Sequence, residues 1–370
     1  MSGRAARPKE MSAMRQTQPY QRPWHPEQMA KRAYALRIRA RMIQAIREFF
    51  WAQDFLECET PALQISPGLE PHLQAFKTQF IGLDRKTKRD FYLHTSPEFA
   101  IKKLLVAGWP KLFEICRVFR NGEQAERHQP EFTMIEWYRT NASYRDIMAD
   151  TEAMIRAAAN ACEVTELRHG TLTCDPTAAW DYVSVADAFT RHVGIDILAT
   201  IGLDDRNPDV ARLAPVAREL GYHVAEDDRW DDLFFRIFLD KIEPYLGVGA
   251  PTILYDYPIS MAALSRQKMQ DPRLAERFEL YICGLELANA FGELTDAGEQ
   301  LRRFEADMDL KQELYGERYP IDMDFIAALE HGMPEAGGIA LGIDRLAMLF
   351  AGVDHIDDVC WIPVDVRQGV

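Results

Sequence analysis

The sequence predicts an α+β fold with a mixed, mostly antiparallel sheet flanked by helices. Apolar residues recur at three- and four-residue spacing over residues 28–53, which predicts an amphipathic helix, and residues 55–61 then alternate like a strand. Apolar, β-prone runs at residues 112–119 and 131–138 flank a polar segment, as is typical of a long-looped antiparallel hairpin. A helix that runs into a strand and is followed by a hairpin favours the α+β class.

The rest of the chain supplies further elements. A predicted strand at residues 91–94 leads into a helix start marked by Ser96, Pro97 and Glu98, which are a hydroxyl, a proline and an acid. The stretch from about residue 144 to 246 is mostly helical in pattern and is predicted to be a helical insertion. Later strands are predicted at residues 252–257, 278–283 and 287–294, and a glycine-rich strand enters a helix over residues 337–346.

The composition excludes several classes of protein. The chain has 370 residues, 47% hydrophobic and 27% charged, which indicates a globular protein with one large or two ordinary domains. Its net charge of −14 disfavours electrostatic binding of long nucleic acids. No apolar run approaches the roughly 18 residues that span a bilayer, so no membrane association is expected. Six scattered cysteines favour a reduced, cytoplasmic compartment and no structural zinc site.

Charge is distributed unevenly along the chain. Residues 1–27 are basic, polar and without the apolar core of a secretory signal, so they predict a disordered tail or a start site placed too far upstream. Residues 28–370 are predicted to form one domain. The first helix carries basic residues that are either a surface for an acidic partner or simply its solvated side; they are Lys31, Arg32, Arg37, Arg39 and Arg41.

The polar segment of the hairpin is the first group of candidate functional residues. On composition alone it is a solvated hairpin tip, but ionisable side chains crowd there between two apolar strands. They are Arg120, Glu123, Glu126, Arg127 and His128. Strand alternation places Phe132, Met134, Glu136 and Tyr138 on one face of the second strand, and a buried Glu136 would need a cationic partner.

Three acids spaced by seven residues form the second group: Glu279, Glu286 and Glu293. A turn between the first two predicts that Glu279 and Glu286 face each other on adjacent strands, where a cation would have to bridge them. The alternative is that these glutamates simply line the solvent face of a pair of strands at the edge of the sheet. Glu286 is out of phase with Asn289 and Glu293, so a β-bulge is required if all serve one site.

The third group is the glycine-rich strand with Arg345 at the start of the following helix. Glycines let a planar group approach the backbone, and the arginine would meet phosphate or stack on a purine. The alternative is a packing strand with an incidental arginine.

Together these segments resemble the catalytic domain of class II aminoacyl-tRNA synthetases of the lysyl type. Arg41 with residues 55–61 resembles the dimer-forming first motif, residues 119–133 resemble the ATP-binding second motif, and residues 338–346 resemble the third. No anticodon-reading domain precedes the first motif, so the chain is most similar to the short relatives of those enzymes, the elongation factor P lysine ligases. Ala340 stands where lysyl-tRNA synthetases usually have glycine, as in that ligase family.

The resemblance implies an ATP-dependent ligase that activates (R)-β-lysine or lysine and transfers it to elongation factor P. It also implies a homodimer through the first motif, magnesium held by Glu279 and Glu286, and no use of tRNA. The catalytic residues would be Arg120, His128 and Arg345. The ATP-binding residues would be these three with Asn121, Gly122, Glu123, Gln129, Phe132, Glu286, Leu287 and Gly342. The substrate-binding residues would be Ser96, Pro97, Glu98, Glu136, Tyr138, Asn289, Glu293 and Ala340.

The chain departs from the family pattern at three positions. Gly122 stands where the family usually has glutamate, so either Glu123 takes over its contact or the contact is lost. Gln129 replaces asparagine, and Ala290 stands at a position that is often glycine. The alternatives are a paralogue that forms free lysyl-adenylate or charges tRNA, and a non-catalytic regulatory paralogue. The sequence does not distinguish a preference for α-lysine from one for β-lysine. It also does not identify the surface that binds the acceptor protein or the base that deprotonates the acceptor amine.

Overall fold

The computed structural model describes residues 22–203 and 206–364. Most of the predicted tail, residues 1–21, lies outside that part of the chain. The described α-helices are α1 (Pro26–Ala52), α2 (Glu98–Val106), α3 (Tyr144–Cys162), α4 (Val185–Val193), α5 (Val210–Glu219), α6 (Trp230–Lys241), α7 (Ala297–Tyr315), α8 (Met323–Gly332) and α9 (Ile343–Ala351). In chain order the described strands are β1 (Leu56–Glu57), β2 (Leu63–Gln64), β3 (Lys77–Ile81), β4 (Lys88–Leu93), β5 (Lys111–Phe119), β6 (Glu131–Thr140), β7 (Leu167–His169), β8 (Leu172–Cys174), β9 (Asp181–Ser184), β10 (Thr252–Pro258), β11 (Leu274–Ile282), β12 (Leu285–Gly292) and β13 (Ala336–Gly342).

A central eight-stranded sheet has the order β1-β5-β6-β13-β12-β11-β10-β9. Only its two outermost pairs, β1 with β5 and β9 with β10, are parallel. One face packs on α1, α3 and α9 through residues such as Phe50, Trp137 and Ile339. The opposite face meets α2, α7 and α8 through residues such as Tyr138 and Phe291. The predicted mixed, mostly antiparallel α+β architecture is confirmed.

The register between β11 and β12 contains the bulge that the sequence required. Leu280 pairs with Ala288, whereas the next residue, Tyr281, pairs with Glu286, so Leu287 is the extra residue. The bulge brings Glu286 into phase with Asn289. The predicted direct pairing of Glu279 with Glu286 is wrong, because Glu279 pairs with Asn289 and Glu286 with Tyr281.

Residues 144–246, which the pattern predicts to be a mostly helical insertion, also contain short strands. They hold four α-helices but also β7, β8 and β9, and β9 extends the central sheet beside β10. The sequence hides β9 because it is only four residues long and polar at both ends. Helix α3 packs with α1 in the main core, while α4 to α6 form a second apolar cluster with β9 and β10.

Two of the basic residues on α1 are internal, which removes them from the candidate partner surface. Arg32 donates to the carbonyl oxygens of Asp357 and Cys360. The Nη2 atom of Arg39 lies 2.5 Å from Asp344 Oδ1 and donates to Thr133 Oγ1 at 2.7 Å. The other Asp344 oxygen accepts from the Thr133 amide. This buried ion pair joins α1 to β6 and to the first turn of α9, next to Arg345.

Replacing Arg39 by methionine should lower the free energy of unfolding by about 3 to 5 kcal/mol, because Asp344 would be left buried without its cation. A denaturant titration measures this. The matched control is Arg41→Met, which breaks an exposed pair with Glu163 and should change stability by about 0.5 kcal/mol or less. Equal losses in the two variants would contradict a structural role for the buried pair.

Candidate active site

A cavity of about 520 Å³ opens on the sheet face opposite α1, α3 and α9. It lies against β6, β11, β12 and β13, and the hairpin loop and the starts of α2 and α9 close its sides. Most of the predicted site residues line it: Ser96, Glu98, Arg120, Glu123, His128, Gln129, Phe132, Tyr138, Glu279, Glu286, Leu287, Asn289, Ala340, Gly342 and Arg345. The three groups of candidate residues therefore share one cavity.

Five predicted residues do not line this cavity. Asn121 and Gly122 are exposed in the hairpin loop, where Gly122 adopts a left-handed turn with φ of 81°. Pro97 is buried as the residue that caps α2. Glu136 and Glu293 are fully buried just behind the cavity wall. The ATP-site prediction for Asn121 and Gly122 is therefore not supported by this geometry.

One end of the cavity is built from cationic side chains. The guanidinium of Arg120 lies 5.1 Å above the Phe132 ring, and its buried Nε has no hydrogen-bond partner. Glu123 lies 3.8 Å from Arg120 Nη1, so it stands beside the arginine at the position next to Gly122. A cation with an unused buried donor is suited to an anionic ligand.

Arg345 and His128 extend this cationic end. Nη1 of Arg345 donates to the carbonyl oxygen of Glu286 at 2.8 Å, and its Nη2 contacts His128 Nε2. Burial, followed by the positive charge of Arg345, lowers the pKa of His128 to about 4. His128 is thus neutral near pH 7, and its Nε2 accepts from Arg345.

The opposite end of the cavity is acidic and deeply buried. Glu136 accepts from the Ser96 hydroxyl at 2.6 Å and from the Tyr138 hydroxyl at 2.8 Å. Burial and then the nearby charge of Glu98 raise its pKa to about 8. Neither carboxylate oxygen of Glu293 has a hydrogen bond of regular geometry, and only Oε2 has an ion-pair contact, with Lys102, so Oε1 is left without any partner. Buried acids with raised pKa values gain most from a ligand that carries ammonium groups.

Lys102 is a functional candidate that sequence reasoning missed. It is fully buried, contacts Glu98 Oε1 and lies 2.5 Å from Glu293 Oε2. One oxygen of Glu98 is therefore already paired within the protein, while Glu98 still lines the cavity, and its contact with the substrate stays a prediction. The signal was present in the sequence, because Lys102 follows Glu98 by four residues in a predicted helix and such residues are neighbours.

Gly338 allows the acidic end to close around Tyr138 and Glu293. A methyl group on its Cα would overlap the Tyr138 ring and Glu293 Oε1, well inside van der Waals contact. Only glycine leaves room for both side chains at this point of β13.

The two acids predicted to hold magnesium have different surroundings. Glu279 accepts from Arg277, Tyr257 and Tyr281 at 2.5 to 2.6 Å. Glu286 has no hydrogen bond or ion pair to its carboxylate from the described residues, and burial together with Glu279 raises its pKa to about 7. An unpaired carboxylate on a cavity wall fits a ligand of a divalent cation.

Arg277 is the second residue that the sequence did not reveal. It pairs with Glu279, donates to Asn289 Oδ1 at 3.0 Å and lies over the Tyr257 ring at 4.5 Å. Its neighbourhood in sequence is an ordinary strand, and nothing in the local pattern distinguishes it. It holds the carboxylate of Glu279 in place beside Glu286.

Two further observations concern the chain as a whole. All six cysteines are free thiols. Among residues 22–203 and 206–364, no helix is both long and apolar enough to cross a bilayer.

Comparison with known proteins agrees with this geometry. The family model described as tRNA synthetases class II (D, K and N) matches residues 18–366. The elongation factor P--(R)-beta-lysine ligase of Haemophilus ducreyi is 40% identical over 321 residues, 87% of this chain and 91% of the relative. The proteins of that name from Sodalis glossinidius and Vibrio cholerae are 41% and 38% identical, and each alignment covers 94% of the relative and 88% or 89% of this chain. The resemblance seen in the motifs is confirmed: the chain belongs to the class II tRNA synthetase family, among relatives named elongation factor P--(R)-beta-lysine ligase.

Proposed function

We propose that the protein activates (R)-β-lysine or lysine with ATP as an aminoacyl-adenylate and transfers it to a lysine side chain of elongation factor P. The observation that carries this proposal is the single cavity, with arginines at one end and, at its other end, Glu98 on the wall with Glu136 and Glu293 buried just behind it. A diamino acid presents one carboxylate and two ammonium groups, and these match the two ends. The relatives' shared name supports the same acceptor protein.

Activation requires attack of the substrate carboxylate on the α-phosphate of ATP, with pyrophosphate as the leaving group. Both reactants are anions, so the site has to neutralise and align them. In this proposal Arg120 takes this role, and Arg345 and His128 bind the outer phosphates. Phe132 offers a face for the adenine ring once Arg120 turns to the phosphates.

Magnesium is the cation that the resemblance implies, and Glu286 with Glu279 would hold it. When bound, it supplies the positive charge that neutralises the departing pyrophosphate. Arg277 fixes the orientation of Glu279 in this arrangement.

Transfer requires no nucleophile on the protein. The adenylate is a mixed anhydride, and the acceptor ε-amine attacks its carbonyl carbon; an amide bond forms, AMP departs and the amine loses a proton. The same adenylate could instead transfer its acyl group to a tRNA hydroxyl, with formation of an ester and departure of AMP, so activation alone does not identify the acceptor. The acceptor is therefore tested separately from activation.

Pyrophosphate exchange tests the activation step. Radiolabelled pyrophosphate should enter ATP only when lysine or (R)-β-lysine is added, and norleucine, which lacks the distal amine, should support little exchange. Absence of exchange with every amino acid would favour the non-catalytic alternative, although the retained Arg120, Arg345 and Glu286 oppose it.

Replacing Glu136 by glutamine should raise the KM for lysine by a factor of about 100 while leaving the KM for ATP within about twofold. Glutamine keeps the size of the side chain but cannot take the negative charge that an ammonium group requires. Steady-state pyrophosphate exchange measures both constants. Asp150→Asn is the control, because that acid pairs with Arg139 away from the cavity. An equal rise in both constants would contradict the assignment.

We further propose that the protein works in the cytoplasm as a homodimer joined through the first motif. Large apolar side chains are exposed there: Tyr34 and Trp51 on α1 are 61% and 52% exposed, and Leu56 on β1 is 49% exposed. Contact with a second copy would bury them. Sedimentation equilibrium tests the dimer, and a monomer at micromolar concentration would contradict it.

A further inference from the structure

Among the described residues, Lys102 is the cation that pairs with two of the three buried acids at the acidic end of the cavity, Glu98 and Glu293. It is 0% exposed and contacts one acid on its own helix and one at the end of β12. The ammonium group does not line the cavity, whereas Glu98 does. Lys102 therefore acts on a ligand only through the acids that it holds.

The charges around Lys102 come from several elements. Burial alone would lower its pKa, but Glu293 and Glu98 outweigh that effect and raise the pKa above its usual value. The negative charge of Glu70, in the loop before β3, raises the pKa of Glu98. The positive charge of Arg266, in the segment before β11, lowers the pKa of Glu293. In return, Lys102 opposes the rise that burial causes in the pKa values of Glu98 and Glu293. The lysine stays charged and favours the ionised forms of both acids.

The charge of the pocket follows from this pairing. Glu98, Glu136 and Glu293 supply three negative charges when ionised, and Lys102 cancels one of them. Two negative charges remain, which equals the number of ammonium groups on a diamino acid. The free oxygen Oε1 of Glu293 and the hydroxyl-bound Glu136 are the groups left to receive the distal ammonium.

We propose that Lys102 is a positioning residue that sets substrate specificity: as a built-in counter-cation it holds Glu98 and Glu293 in place and favours their ionised forms, so that the pocket reaches a charge of minus two when the two ammonium groups of a diamino acid enter. This inference rests on the proposed function, since it assumes that the acidic end receives the substrate amines.

Replacing Lys102 by methionine tests the proposal, because methionine keeps most of the side-chain length and removes the charge. Calorimetric binding of L-lysine, (R)-β-lysine and norleucine is compared with ATP binding at pH 7 and pH 9. The matched control is Lys103→Met, which removes the neighbouring lysine of α2, paired with Asp322 and Asp324 away from the acids of the pocket.

Lys102→Met should bind lysine or (R)-β-lysine at least about tenfold more weakly at pH 7, with ATP affinity within twofold. Its preference for lysine over norleucine should shrink by a similar factor. Part of the lost affinity should return at pH 9, because the unpaired acids ionise again as the pH rises. Lys103→Met should behave as the native protein does.

A charge-balanced double variant keeps the test sharp if the single variant folds poorly. Lys102→Met with Glu98→Gln leaves Glu136 and Glu293, the two acids that receive the distal ammonium, and no lysine, so these two acids supply the charge of minus two without a buried unpaired acid at position 98. It should bind lysine at pH 7 more tightly than the single variant.

The contradicting outcomes are distinct. If the native protein binds neither diamino acid, the proposed function fails and this inference fails with it. If the native protein binds one of them but folded Lys102→Met keeps the same affinity and preference, the inference alone fails. Equal losses for ATP and lysine, or a double variant that binds more weakly than the single one, would also overturn it.

Discussion

Replacing Arg120 by methionine should lower lysine-dependent pyrophosphate exchange by a factor of about 1,000 or more. Arg120 is the cation whose buried Nε has no partner, and it lies beside the Phe132 ring at the anion-binding end of the cavity. Losing a positioned donor for developing charge costs about 100- to 1,000-fold in well-studied enzymes, and Arg120 would serve two anions at once. The loss should fall mainly on kcat, with Glu136 and Glu293 still holding the substrate amines.

Arg117→Met is the matched control for this variant. Arg117 lies on β5, three residues before Arg120, is exposed, and its side chain makes a 3.7 Å contact with Glu131. Its replacement should leave exchange within about twofold. If Arg120→Met retained a tenth or more of the native rate, the placement of the phosphates at this end of the cavity would be wrong.

Replacing Gly338 by alanine should raise the KM for lysine by a factor of about 100 or more and leave ATP binding nearly unchanged. The added methyl group would overlap the Tyr138 ring and Glu293 Oε1, so one of these groups has to leave the amine pocket. Gly338 also pairs with Tyr138 and with Phe291 in the sheet, which prevents the strand from moving away. Steady-state exchange measures both constants, and circular dichroism reports whether the fold is kept.

Gly298→Ala serves as the control. Gly298 lies in the first turn of α7, where an added Cβ would meet only Asp296 Oδ1 at 3.4 Å. It should bind both substrates as the native protein does and gain slightly in stability, since alanine favours helix over glycine. A folded Gly338→Ala protein with native lysine affinity would show that the acidic end does not receive the substrate.

Residue type and spacing predicted much of the cavity because its parts sit at fixed places on strands. Two-residue alternation places Phe132 and Tyr138 on one face, and that face lines the cavity. The mismatch in phase between Glu286 and Asn289 required a bulge, and the register supplies it at Leu287. Strand alternation and phase can be predicted from sequence because they depend on neighbouring residues and not on packing between distant segments.

What the sequence could not show depends on contacts between distant segments. Glu98 and Glu293 are nearly two hundred residues apart, and only the folded sheet brings both to Lys102. In the sequence, Arg39 is one of several basic residues on an amphipathic helix. In the structure it is buried in an ion pair with Asp344, which lies near the other end of the chain. Strand β9 is too short and polar to be seen without its neighbour β10. In each case tertiary contacts override the local pattern.

Acceptor labelling tests the central claim most directly. Radiolabelled lysine or (R)-β-lysine is incubated with the protein, ATP and magnesium, and with either elongation factor P or tRNA. Our account predicts label on elongation factor P, lost when its acceptor lysine is replaced by arginine, and none on tRNA. Label on tRNA alone would contradict it.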